Sequence, residues 1–109
     1  MKNYEYYAKL VFALRWKKVD KLLEKGEEQE KLWLVEALGA AAKGGDEGYN
    51  HLVEALQGAK EKPIKLAAIK AMGACGRPAA VSQLSYVADH DEDPEVKQAA
   101  LDAIHAARG

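Results

Sequence analysis

Apolar residues recur at three- and four-residue steps along almost the whole chain, and glycine or proline breaks the rhythm at near-regular intervals. That period is one face of an α-helix, begun and stopped several times over. Tyr4, Tyr7, Val11 and Leu14 form the first face, with Asn3 placed to cap it and Glu5 near its positive end. The rhythm continues through Trp16, Val19, Leu22 and Leu23 to Gly26. Residues 5 to 25 therefore read as two helices meeting near Ala13 to Trp16, with one long bent helix as the alternative. Gly26 is a stop signal. Glu27, Glu28 and Glu30 open a third helix carrying Leu32, Val35, Leu38 and Ala42, which ends at Lys43-Gly44-Gly45. Asp46 is placed to cap a fourth, with Tyr49, Leu52, Val53 and Leu56 inward and Gly58 weakening its last turn.

Pro63 opens a fifth helix, at a position where a missing backbone donor costs nothing. Ile64, Ala68, Ile69, Met72 and Cys75 give its stripe. Gly76-Arg77 forms a turn, and Pro78 starts a sixth helix with Val81, Leu84, Val87 and Ala88 inward. An acidic link, Asp89 to Asp93, leads to a seventh helix from Pro94 to about Ala107. Its Val96, Ala99, Ala100, Leu101 and Ile104 match Ile64, Ala67, Ala68, Ile69 and Met72, each offset by 32 positions. Ala37-Leu38-Gly39-Ala40 matches Ala71-Met72-Gly73-Ala74 at an offset of 34. A fixed offset of this size marks stacked helical hairpins.

These residues resemble HEAT repeats, in particular the bacterial HEAT-like type also seen in phycobilisome lyases. Asp93-Pro94, Val96-Lys97 and Ala99-Ala100-Leu101 follow the Asp-Pro-x-Val-Arg-x-Ala-Ala pattern, with lysine for arginine. The Pro63 unit keeps Ile64-Lys65 and Ala67-Ala68-Ile69 but has Lys62 where aspartate is usual; the unit near Glu30 lacks the proline. The implied fold is all-α, a short right-handed α-solenoid of antiparallel helix pairs with about seven helices. Residues 1–109 form one such domain, with units near 3–26, 27–58 and 60–89 and a half unit at 93–109. The resemblance puts the second helix of each pair on the concave side. That side would show Lys17, Lys18 and Lys21, then His51, Glu54 and Gln57, then Ser82, Gln83, Ser85 and Tyr86.

Composition adds limits. Hydrophobic residues are 49% of the chain and charged residues 30%, ordinary for a globular protein, and the net charge of −1 gives no global field for nucleic acid or membrane. Cys75 is the only cysteine, so no internal disulfide forms and a cytoplasmic location is expected. No stretch approaches the ~18 apolar residues of a membrane span.

Candidate chemistry is thin. Asp89, Asp91 and Asp93 have the alternate spacing of a calcium loop, but Pro94 stands where glycine is required and Ala100 where a bidentate glutamate belongs. A turn whose Asp93 caps the last helix is the better reading. His51, His90 and His105 share no ligand spacing along one helix, Cys75 lies on an apolar stripe, and no phosphate loop is present. No catalytic residue, metal ligand or cofactor is expected.

Arg15, Lys17, Lys18, Lys21 and Lys25 form a local basic face that can touch phosphates, but Asp20 and Glu24 interleave it, so a solvated face is preferred and nucleic acid is disfavoured. Trp33, flanked by Leu32 and Leu34, makes the third helix apolar on more than one side, either sandwiched or reserved for a partner. The broad apolar spread of the seventh helix points to self-association. The expected function is a non-catalytic protein–protein interaction scaffold. The alternatives are a nucleic-acid-binding repeat and a lyase-like accessory protein for a prosthetic group.

Overall fold

The computed structural model describes residues 2–108; Met1 and Gly109, the ends of the expected 1–109 span, lie outside the described residues. Seven helices follow one another in it: α1 Tyr4–Phe12, α2 Trp16–Lys25, α3 Glu28–Ala42, α4 Asp46–Gly58, α5 Lys62–Ala74, α6 Pro78–His90 and α7 Pro94–Arg108. Asn3 caps α1 as expected, its Oδ1 accepting from the Tyr6 N–H at 3.2 Å. The break between α1 and α2 falls where the apolar rhythm allowed it. Leu14 adopts φ 61°. Its N–H donates to the Val11 carbonyl at 3.0 Å, and the Arg15 N–H donates to Leu10 at 2.9 Å. This is the paired closure that usually ends in glycine. Leu14 is consequently turned outward and 58% exposed, not part of the buried face the spacing suggested.

Two other boundaries shift for a physical reason. Gly45, not Asp46, is the cap of α4; Asp46 is the first helical residue, where its charge meets the positive helix end. Glu61 is the cap of α5, so Pro63 is its second residue, still within the turn whose N–H groups lack partners.

The helices form two layers. α1, α3, α5 and α7 pack side by side, and α2, α4 and α6 cover them, each lying against the helices on either side of it in the chain. Tyr7, Val11, Leu34, Leu38, Leu52, Ile69, Met72, Leu84 and Val96 are sealed between the layers. α3 is sandwiched by α1, α4 and α5, which answers the question of its two apolar sides. Trp33 stacks on Tyr7 with centroids 5.6 Å apart.

The layers are not equally spaced. A methyl on Gly73 would lie 2.8 Å from Ala103 Cβ, and one on Gly39 3.0 Å from Ala71 Cβ, so first helices approach almost backbone to backbone. Neighbouring second helices have no comparable packing. The residues from Lys17 to Tyr86 expected to face a partner sit on the second helices, whose side carries two furrows.

Candidate interaction face

The second-helix side is built by three helices that reach each other only through side chains. Between α2 and α4, Trp16 Nε1 donates to Glu47 Oε2 at 2.9 Å, and His51 Nδ1 lies 2.9 Å from Asp20 Oδ1. The Trp16 and His51 rings stack with centroids 4.2 Å apart. Below this latch lies a cleft of about 300 Å³ bounded by Asp20, Glu54, Lys31 and Glu61. Between α4 and α6, Gln57 Nε2 reaches Gln83 Oε1 at 3.4 Å. The furrow there has a volume of about 700 Å³, and its walls carry Gln57, Ser82, Gln83 and Tyr86.

Of the residues expected to share a binding face, the structure thus gathers two groups. Gln57, Ser82, Gln83 and Tyr86 line one furrow; His51 and Glu54 flank the other. Ser85 does not line the furrow beside its neighbour Tyr86. Lys18 is turned away altogether, its Nζ 5.7 Å from the Tyr6 ring centroid, in a groove at the outer end of the stack with Lys9 and Arg15. Lys17 and Lys21 are exposed on α2 and line neither furrow.

Tyr86 is the most exposed large hydrophobic side chain of the face, 64% open. It is nonetheless held. Its ring stacks on His90 with centroids 4.1 Å apart, and His90 Nδ1 sits 3.0 Å from the Tyr86 carbonyl oxygen. The sequence marked Tyr86 but not His90, Lys65 or Asp91, which complete the furrow. Lys65 and Asp91 were legible only as a helix residue and a linker residue.

The family model described as HEAT repeats matches residues 18–105. The chain belongs to the HEAT repeat family. No curated protein and no solved structure matches it. HEAT repeats commonly mediate protein interactions, and the HEAT solenoid is typically non-enzymatic. No helix among the described residues is long and apolar enough to cross a membrane.

Within this HEAT stack a ladder of ion pairs joins successive units. Lys31, almost fully buried, places Nζ 2.9 Å from Glu61 Oε2 at the start of the next unit. Lys65, at the matching position of the following unit, places Nζ 2.9 Å from Asp91 Oδ2. Lys62, where the family usually has aspartate, turns to Asp93 at 2.9 Å and Glu95 at 2.8 Å. The acidic link is spoken for in the same way: the Asp93 N–H donates to Asp91 Oδ1, and Asp93 Oδ1 accepts from the Glu95 N–H as the cap of α7. These bonds hold the carboxylates below their usual range. For Asp91 the Asp93 N–H contributes most and Lys65 next; for Asp93, Lys62 leads; for Glu61, Lys31 leads. Arg77 adds a clip between turns, Nε donating to the Ala42 carbonyl at 2.6 Å and Nη1 to Asp46 Oδ1 at 2.7 Å. Cys75 is buried, and its Sγ donates to the Met72 carbonyl.

Proposed function

We propose that this chain is a non-catalytic protein-interaction module, and that its partner lies across the second helices. The observation that carries the reading is Tyr86. A large aromatic left mostly open to water, yet fixed by a neighbouring ring, loses little freedom when a partner covers it. Aromatic anchors of this kind carry most of the binding free energy at interfaces. The furrow around it supplies amide and hydroxyl groups from Gln57, Ser82 and Gln83 that orient a polar partner segment, and the scaffold behind it is already formed, so binding orders few residues.

A cytosolic setting fits a single buried thiol. Self-association through α7 is a further part of the proposal, supported by Leu101, which is 45% exposed on that helix; light scattering across a concentration series tests it, and a strict monomer throughout would remove it. The main reading is tested by affinity capture from native lysate. Tyr86→Ala should lose the captured partner while Lys18→Glu, at the outer end, keeps it. Equal loss with nuclease treatment would transfer the function to nucleic acid.

A further inference from the structure

We propose that Asp20, His51 and Glu54 form a binding site for a divalent first-row transition-metal ion of the zinc class, clamping the first two repeats together. This stands independently of the partner face. Each residue offers one ligand atom, and the three atoms lie within 4.8 Å of one another. Asp20 comes from α2, while His51 and Glu54 are three residues apart on α4 and so share a helical face. His51 Nδ1 and Asp20 Oδ1 are 2.9 Å apart. Metal bonds of about 2.0–2.2 Å, at tetrahedral to octahedral angles, set neighbouring ligand atoms about 3.0–3.5 Å apart. The first pair already stands near that spacing, and rotation of the exposed Glu54 side chain closes the third arm.

The donor set selects the ion. One imidazole nitrogen favours zinc, nickel, cobalt or copper over magnesium and calcium. Two carboxylates match the charge of a divalent ion. The surrounding cleft is acidic in balance: Asp20, Glu24, Glu54 and Glu61 face Lys31 and Lys60, and Lys31 is engaged by Glu61. Three protein ligands leave a coordination position open toward that cleft, for water or for a group carried by a bound molecule.

The imidazole is also pre-positioned. Its side chain is only 16% exposed, and its ring lies flat on Trp16, with 12° between planes. Trp16 is itself fixed by its bond to Glu47. Holding a ligand ring in place before the ion arrives is what neighbouring groups do at metal centres. The clamp would join α2 to α4, which meet only through side chains such as Trp16 and His51.

Trp16 makes the test specific. The untagged full chain is titrated with Co²⁺ and Ni²⁺, following cobalt absorbance and tryptophan emission, with Zn²⁺ as competitor. The expected result is saturation at one ion per chain, displacement by Zn²⁺ and quenching of Trp16. His51→Gln and Glu54→Gln should each weaken the affinity at least about ten-fold, the lower bound set by losses of merely supporting groups. Glu54 is exposed, so its variant folds. His105→Gln should bind as the parent does. Trp16→Phe should keep the cobalt spectrum and lose the quenching. Absence of saturable binding up to millimolar Co²⁺, unchanged affinity in Glu54→Gln, or full quenching retained in Trp16→Phe would each overturn the site.

Discussion

Two residues break local rules, and each break has a consequence. Leu14 holds a left-handed backbone that costs a non-glycine residue about 1–2 kcal/mol, and its side chain is mostly exposed, so burial returns little of that. Leu14→Gly should therefore raise stability, by about 1 kcal/mol in denaturant unfolding; a loss of that size would show that Leu14 packs in a way its exposure denies. Tyr49 presents the opposite case. Its hydroxyl is buried with no hydrogen-bond partner among the described residues, and burial raises its pKa. An unpaired buried hydroxyl costs about 1–3 kcal/mol. Tyr49→Phe should leave stability unchanged or raise it, and a melting temperature clearly below the parent would reveal a bond that the hydroxyl makes.

At the scale of helices, the sequence was legible wherever punctuation was chemical. Asn3, Pro63, Pro78 and Pro94 placed starts, and Asp93 was read correctly as a cap because its turn needs an acceptor two residues before Glu95. What escaped the reading lay between repeats. Asp20 and His51 are 31 residues apart, so ligand spacing sought along one helix could not join them. Leu34 falls outside a single apolar stripe because α3 buries a wider arc, whereas Ala80 lies one turn before Leu84 on the same stripe of α6. Gly39 and Gly73 are visible in the sequence as repeat markers, but their role in close approach needs coordinates. That role is testable. Glycine to alanine usually favours a helix by about 1 kcal/mol. At Gly73 the added methyl would meet Ala103 Cβ at 2.8 Å and its backbone at 3.0 Å. Overpacking of this kind costs about 1–3 kcal/mol, so Gly73→Ala should destabilise the fold in urea unfolding. A gain in stability there would mean that α5 and α7 are not held so close.

Across the whole molecule, charge links the units and makes the stack sensitive to acid. Glu30 belongs to the same set: it accepts from the Tyr7 hydroxyl and from the Glu27 N–H, which together hold its carboxyl below the usual range. The folded pKa values of Glu30, Glu61, Asp91 and Asp93 are all lowered. In that case the unfolded chain binds protons first, and the stability these groups contribute is complete above their unfolded values, about pH 4. It declines as the pH falls through the lower folded values. Circular dichroism should show stability level between about pH 5 and 7 and falling below about pH 4, with Asp91→Asn flattening the decline. An unchanged acid limb in that variant would remove the ladder from the explanation.

The same division of labour separates holding from binding: first helices carry the close packing, and second helices present the open polar face. Quantitative affinity capture with variants on the two sides tests this most directly. Tyr86→Ala should reduce the retained partner at least about ten-fold, the effect of losing an anchor worth about 2 kcal/mol, while Glu36→Lys and Lys70→Glu on the first-helix side should leave it unchanged. Retention with Tyr86→Ala, and loss with either first-helix variant, would place the partner on the first-helix side and contradict the account.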